Sequence, residues 1–373
     1  MPDLHPSSLR ILYLITGLRM GGAEQQLLLI AHNMQKHGHQ VIVVAMETGG
    51  VMVNEFVKKG IPVVELNMGR VKMAISGYTT FNKLVRDFKP HFIHAHMIHA
   101  NLLSRIYKFF HPKQLVVNTA HNIREGSARL MIAYRLTRQL ANWSTNVSTE
   151  AYSHFIAKGY FDPKTSCALP NAINTGKFKK DSSASPFLRQ EFGIETHFYV
   201  FFTAGRLHEQ KNHQMLINAF AEVCKINLNT LLLIAGEGPL EAELKQLAVK
   251  LGIQAKVKFI GRRDDMPQLF NVCDCFVLSS IYEGFGLVVG EAMACEKPVI
   301  ATNCGGVKEV MGAYGKLIET NDTPALTQAM VNRLQQPATT SELVCARQSI
   351  QTRFAVEEII SQWLNLYHQI NKP

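Results

Sequence analysis

Residues 275–302 read CFVLSSIYEGFGLVVGEAMACEKPVIAT. An apolar run, CFVLSS, leads through a turn into a helical stretch, and a second β-branched run, PVIAT, follows. Strand, helix and strand in this order make a parallel unit whose sheet is covered on both faces. Gly284 and Gly286 permit a tight turn and a close backbone approach. A helix that starts near Gly286 leaves the amides of Gly286 and Leu287 free to face an anion. Glu283 lies on the loop and Glu291 lies eight positions later on the helix. Carboxylates accept hydrogen bonds from hydroxyls, which sugars and riboses carry in number. The stretch therefore suits a ligand with phosphates in the middle and sugars at its two ends.

The same alternation runs outward in both directions. Downstream of residue 190 the other β-rich runs are YVFFTAG (199–205), TLLLIAG (230–236) and KVKFIG (256–261). Upstream they are ILYLITG (11–17), QVIVVAM (40–46), PVVELN (62–67), FIHAH (92–96), LVVNTAH (115–121) and STNVSTE (144–150). Amphipathic stretches separate them. AEQQLLLIAHNMQKHG (23–38) places Leu27, Leu28, Ile30, Ala31 and Met34 on one helix face before Gly38 stops it. KKDSSASP (179–186) is polar, Ser-rich and ends in Pro, as a linker would. The pattern predicts α/β architecture with two Rossmann-like, doubly wound domains facing across a cleft. The expected boundaries are 1–180, 181–355 and a docked terminal helix at 356–373, built on EEIISQWLNLYHQI (357–370). A hinge is expected near residues 180–195.

Composition excludes several classes. With 373 residues, 47% apolar and 18% charged, the chain has the material for sizeable cores and is not a disordered protein. Its seven cysteines are odd in number and irregular in spacing, which fits reduced thiols rather than a disulfide scaffold. No apolar run approaches the length of a membrane span. The first residues lack a basic region followed by a cleavable apolar stretch, so a cytoplasmic chain is expected. Charge is uneven: residues 1–180 hold 22 Lys+Arg against 9 Asp+Glu, while residues 181–373 hold 17 against 20. The basic half points to an anionic partner.

Other candidate residues sit where apolar runs end. YVFFTAG ends at Gly205-Arg206, and Lys211 falls near the start of the next helix. A cation there opposes the helix dipole, so Arg206 and Lys211 make sense with a phosphate between them. Gly17-Leu18-Arg19-Met20-Gly21-Gly22 is a glycine loop between a strand and a helix, compatible with a ligand or with a plain tight turn. His121 closes LVVNTAH at the expected cleft edge. His94, His96 and His99 lack the carboxylate or thiol that would complete a metal set. Asp264-Asp265 reads as a helix cap. The methionines from Met52 to Met73 read as core or groove filler.

These residues resemble a known family. GRLHEQKN, LIAGEGPLEAEL, VKFIGRRDD and EGFGLVVGEAMA, with its two glutamates spaced Glu-x7-Glu, look like glycosyltransferase family 4, retaining enzymes of the GT-B fold. LRMGGAEQQLLLIA and the AHN at 120–122 match the family's style, and the resemblance covers nearly the whole chain. It implies that Arg206 and Lys211 hold a donor pyrophosphate, that Glu283 binds donor-sugar hydroxyls and that Glu291 binds the ribose. Gly286 and Leu287 would offer amides, and Gly236–Pro239 with Gly261 and Arg262 would line the base pocket. Gly21 and Gly22 would approach the donor from the other domain, with His121 near the reacting sugar. Neither a cofactor nor an obligatory metal is implied.

The implied reaction moves a hexose or N-acetylhexosamine from a nucleotide-diphosphate sugar, UDP by family frequency, with retention. Within that family the N-terminal domain usually holds the acceptor. Arg105, Lys108, Lys113, Arg124, Arg129, Arg135 and Arg138 are interleaved with Tyr107, Phe109, Phe110, Leu130, Met131, Ile132 and Tyr134. That mixture suits attachment to the inner face of a cytoplasmic membrane and a lipid-linked or lipopolysaccharide-type acceptor, as in O-antigen assembly. A soluble acceptor and a sugar-nucleotide epimerase of the same fold stay open. A glycoside hydrolase would not need the two cations, and no nucleic-acid-binding motif is visible.

Overall fold

The computed structural model describes residues 8–68, 71–181, 183 and 185–371. The chain forms two compact units, one running to Ala172 and resuming at Val356, the other Ile173–Ala355. In the first, seven strands pair in parallel: β1 (Arg10–Ile15), β2 (Gln40–Ala45), β3 (Val63–Glu65), β4 (Phe92–His96), β5 (Leu115–Ala120), β6 (Trp143–Asn146) and β7 (Ser166–Ala168). Their order across the sheet is β3-β2-β1-β4-β5-β6-β7. In the second, six parallel strands are β8 (Tyr199–Ala204), β9 (Thr230–Ala235), β10 (Val257–Phe259), β11 (Cys275–Leu278), β12 (Val299–Thr302) and β13 (Lys316–Ile318). Their order is β10-β9-β8-β11-β12-β13.

The continuous apolar runs have a simple cause. Along β1, Ile11, Tyr13 and Ile15 enter one core while Leu12 and Leu14 enter another on the opposite sheet face. A strand buried on both faces cannot alternate apolar with polar residues. The helix Gly22–Lys36 buries Leu27, Ile30, Ala31 and Met34, and the chain turns away at Gly38, whose φ is +83°. Every apolar run singled out in the sequence forms a strand. β7 and β13 were not expected: each is a three-residue sheet edge, SCA and KLI, outside any run as apolar as PVVELN and KVKFIG, which mark the equally short β3 and β10.

The helix Val356–Ile370 buries Ile359, Ile360, Trp363, Leu366 and Tyr367 in the core of the first unit. Tyr367 reaches furthest: its hydroxyl lies 2.7 Å from His94 Nδ1 and 3.5 Å from the Tyr13 hydroxyl. The division between units falls at Ala172, earlier than the expected 180. The reason is local. The Gln26 amide donates to Ala172 O at 2.7 Å and accepts from Ala172 N at 2.8 Å, which ties that residue to the first unit. Residues 179–181 are instead held by Asn271, which donates to Lys179 O and accepts from Asp181 N. The expected linker and hinge segment therefore lies within the second unit, and Ser182 and Ala184 lie outside the described residues. Met52 is core, as expected, whereas Met73 is among residues whose side chains are not described.

The basic stretch 105–138 is not uniformly superficial. Arg105 is fully buried, its guanidinium 3.8 Å from the Tyr134 ring centre and its Nε 2.6 Å from Asn118 Oδ1. Tyr107, Met131 and Tyr134 are buried too. Lys108 bonds Gln114 O and Asn142 Oδ1. The helices Ile98–Phe110 and Ala128–Leu136 turn these residues inward and leave Phe109, Phe110, Ile132 and Leu136 exposed. No helix among the described residues is long and apolar enough to cross a membrane.

Replacing Tyr367 by Phe removes a hydroxyl shared by Tyr13 and His94 and leaves a buried ring nitrogen without its partner. The variant is expected to lose about 1–3 kcal/mol of stability, read as a lower urea midpoint with an unchanged m-value.

Candidate active site

Strand order reverses once in each sheet, and ligands in such folds sit beyond the carboxyl ends of the strands at that point. In the second unit the reversal falls between β8 and β11. Lys211 lies on the loop after β8, in the turn Glu209–Lys211 that precedes Asn212, the N-cap of the helix His213–Ile226. Glu283 lies on the loop after β11. Lys211 Nζ donates to Glu283 Oε1 at 2.5 Å, with only 19% and 10% of the two side chains exposed. Ser280 Oγ donates to the same oxygen at 2.7 Å. Three hydrogen bonds fasten the two loops: Ile281 N donates to Gln210 O, Gln210 Nε2 donates to Tyr282 O, and Ser279 Oγ donates to Lys211 O. The expectation gave Lys211 a phosphate and Glu283 a sugar as separate partners. In the structure the two groups hold each other, because a lone charge in a partly buried crevice is costly.

Glycines keep this edge open. Gly305 has φ +55° and packs its Cα against the carbonyl of Glu283, where any side chain would collide. Gly236, at φ +140°, lies against Gly205 O in the same way. Gly205 N donates to Ala235 O, Leu207 N to Glu237 O and Gly236 N to Gly261 O, lacing the ends of β8, β9 and β10. Arg206 stands exposed beside this lacing, with no ion pair among the described residues. Arg262 is 45% exposed and 4.0 Å from Asp264 Oδ1. Asp265 takes the N-cap position of the helix Met266–Val272, but its carboxylate grips Arg263 at 2.6 and 2.8 Å instead of capping as expected.

Gly286 is the N-cap of the helix Leu287–Ala294 with φ +91°. Val289 N and Gly290 N turn back to Gly286 O, and Leu287 opens the first turn. Glu291 lies one turn further on. Its carboxylate has no hydrogen-bond partner among the described residues, and burial pushes it up to about 7, against a smaller pull from Lys177. A carboxylate held where ionisation is unfavourable is a common sign of a functional site.

In the first unit the reversal falls between β1 and β4. The Gly17–Gly22 loop follows β1. Arg19 pairs with Glu47 at 2.9 Å. Glu24 is buried, its carboxyl raised by that burial, with one oxygen folded onto Gly21 at the helix start. The backbone of Gly21 is extended, and the helix begins at Gly22. His121 follows β5. Its Nε2 lies 2.9 Å from His96 Nδ1, and its main-chain N–H donates to Glu125 Oε1 at 2.5 Å. Burial pushes His121 down to about 4 and Glu125 up to about 7, the latter opposed by bonds from the amides of His121, Asn122 and Ile98. His94 spends both ring nitrogens on Tyr367 and Thr119 at 2.7 Å. No group of three His, Cys, Asp or Glu side chains among the described residues is arranged to hold a metal ion.

Sequence reading missed Ser280, Glu24 and Glu125, and it weighed His96 only as a metal ligand. A signal existed for Glu125, an acid four residues after His121 in a turn-forming stretch. Ser280 carried none.

Two Rossmann-like parallel sheets in one chain constitute the GT-B architecture. The structure of Anabaena HepE in complex with UDP-glucose has the same fold, with a TM-score of 0.86 at 24% identity over 97% of this chain and all of that one. Residues 20–177 match the model described as Glycosyltransferase Family 4, and residues 184–344 match Glycosyl transferases group 1. The chain belongs to the glycosyltransferases of GT-B fold and family 4 type. N-acetyl-alpha-D-glucosaminyl L-malate synthase of Bacillus anthracis is 32% identical over 196 residues, 52% of this chain and 50% of that protein. An Escherichia coli UDP-Gal:alpha-D-GlcNAc-diphosphoundecaprenol alpha-1,3-galactosyltransferase is 26% identical over 263 residues, 67% of each chain. The chain thus spans from half to two thirds of the length of these curated relatives.

The raised Glu291 carboxyl has a thermodynamic consequence. An acid whose folded pKa exceeds its unfolded value favours the native state below the unfolded pKa, and that contribution is lost as pH rises through about 7. Glu291→Gln is therefore expected to leave the melting temperature nearly unchanged at acid pH and to raise it by a few degrees above neutrality, measured by calorimetry across the range.

Proposed function

We propose that this protein transfers a hexose or N-acetylhexosamine from a nucleotide-diphosphate sugar to a saccharide acceptor with retention at the anomeric carbon. One observation carries the reading: Lys211 and Glu283 meet on one oxygen, with Ser280, where the strand order of the second sheet reverses. A diphosphate entering there competes for the ammonium of Lys211 and releases the carboxylate of Glu283 to accept bonds from sugar hydroxyls. Arg206, exposed at the end of β8, adds a second cation for the phosphates. The charge that develops on the departing diphosphate is then met by fixed groups, which is the main way such a site lowers a barrier. Gly286 and Leu287 offer amides, Glu291 takes the ribose hydroxyls, and Arg262 with the glycine lacing borders the base. In the first unit, Gly21, Gly22 and His121 are the groups proposed to meet a sugar. The donor's own phosphate takes the acceptor proton, so the protein supplies position and charge rather than a nucleophile. No cofactor or obligatory metal takes part.

UDP is the proposed nucleotide. The Escherichia coli relative is a UDP-Gal galactosyltransferase, and HepE was solved in complex with UDP-glucose. The proposed acceptor is lipid-linked, as the diphosphoundecaprenol substrate of that relative suggests. The exposed residues Phe109, Phe110, Ile132 and Leu136 lie among basic residues, including the exposed Arg129 and Arg135, and suit the interface of an anionic membrane. Attachment would then be peripheral, on the inner face of the cytoplasmic membrane. A second reading, a soluble acceptor, is favoured by the L-malate in the name of the other relative.

With UDP-sugars as donors, Arg206→Ala, Lys211→Ala and Glu283→Ala are each expected to cut turnover by about a hundredfold or more while the far-ultraviolet spectrum is kept. Near-normal turnover in all three variants would remove this site assignment. Substituting Arg129 and Arg135 by Gln is expected to weaken sedimentation with anionic liposomes at low salt, and unchanged partitioning speaks for the soluble acceptor.

A further inference from the structure

His96 is fully buried at the last position of β4, beside Thr119 of β5. Its ring lies between those of His94, at 4.2 Å, and His121, at 5.2 Å and 30°. His94 is complete, since each of its nitrogens meets a hydroxyl that can donate or accept. The His96–His121 pair is different. One bond joins Nδ1 of His96 to Nε2 of His121, while His96 Nε2 and His121 Nδ1 are buried and have no partner among the described residues. An unsatisfied nitrogen in such a place is destabilising unless something meets it.

We propose that His96 is a positioning residue for His121: it fixes the His121 ring through Nε2, leaves Nδ1 as the nitrogen that meets a hydroxyl of the bound sugar, and shares one proton with it so that both rings always carry the same tautomer. The last point follows from counting protons. If His96 Nδ1–H donates, His121 Nε2 accepts, and a neutral His121 carries its proton on Nδ1. If His121 Nε2–H donates, His96 Nδ1 accepts, and both rings carry protons on Nε2. A sugar oxygen that accepts from His121 Nδ1 selects the first state, and a hydroxyl that donates to it selects the second. No charge is created in either. Glu125 holds the main chain of His121 from the other side, so ring and backbone are fixed independently. The assignment to a sugar hydroxyl rests on the transferase reading above, whereas the coupling of the two rings does not.

The test uses the full chain with 15N-labelled histidine and long-range 1H–15N correlation spectra, which distinguish ring tautomers. His96 and His121 are expected to show one common tautomer without ligand, and again one common tautomer after UDP-glucose or UDP-N-acetylglucosamine is added. Opposite tautomers on the two rings would overturn the proposal, whatever the protein catalyses. In His96→Phe the His121 signals are expected to become a tautomer mixture. His96→Asn, whose amide can replace Nδ1 in the bond, is expected to restore a single tautomer. In transfer assays His96→Phe should lower kcat by roughly tenfold to a hundredfold with KM for the donor changed less than about threefold, and His96→Asn should recover most of kcat. Equal losses in both variants, with His121 spectra unaltered, would show His96 to be packing only. If the wild-type protein transfers no sugar while the rings stay coupled, the transferase reading fails and the ring coupling stands.

Discussion

A parallel sheet places all its strand ends on one edge, and a single reversal of strand order is the only break in that edge. The Lys211–Glu283 pair, the glycine loop after β1 and His96 all lie at this protein's two reversals. Between β8 and β11 two adjacent loops diverge, and the charged side chains of Lys211 and Glu283 close the gap. Between β1 and β4 the gap is flanked by a glycine loop and by His96. The apolar runs on either side are what make these gaps rigid. Phe201 and Phe202, in the middle of β8, are wholly buried on opposite faces, and Phe276 and Val277 do the same for β11. The polar loops are held by two walls that cannot shift independently.

The buried polar groups fall into two energetic kinds. Glu283 is compensated: an ammonium and a hydroxyl share one of its oxygens. Arg105 is compensated less completely, by an amide oxygen, a carbonyl, a hydroxyl and a tyrosine ring, with one nitrogen left over among the described residues. The Glu291 carboxylate has no bonded partner among the described residues, and that of Glu125 meets the main-chain amides of His121, Asn122 and Ile98. The same burial raises the acids and lowers His121, so all three tend toward their uncharged forms near neutrality. A site built from such groups responds strongly to a ligand, because small changes in solvation move their charge states.

Much of this was legible in the sequence, for reasons that differ by element. β1 and β8 announce themselves because burial on both faces demands unbroken apolar runs. The Glu283 and Glu291 spacing was visible because loop and helix are contiguous in the chain. The pairing of Lys211 with Glu283 was not, since it depends on β8 and β11 lying side by side across a long sequence separation. Arg105 was misread as a surface cation for a related reason: its partners Asn118 and Tyr134 come from a strand and a helix that only the fold brings near. β7 and β13 stayed hidden because SCA and KLI lie in no extended apolar run, unlike the equally short β3 and β10.

The membership of Val356–Ile370 in the first unit has a consequence for biosynthesis. The second unit, Ile173–Ala355, is complete as soon as its own residues have left the ribosome. The first unit emerges earlier and yet must wait, because Trp363 and Tyr367 fill its core and Tyr367 satisfies His94. Translation order and completion order are therefore inverted. During that interval the first unit is a nascent intermediate with an open apolar groove and an unsealed histidine, the kind of species on which chaperones act. A chain cut at residue 355 holds every residue of the second unit and lacks the helix that fills the core of the first.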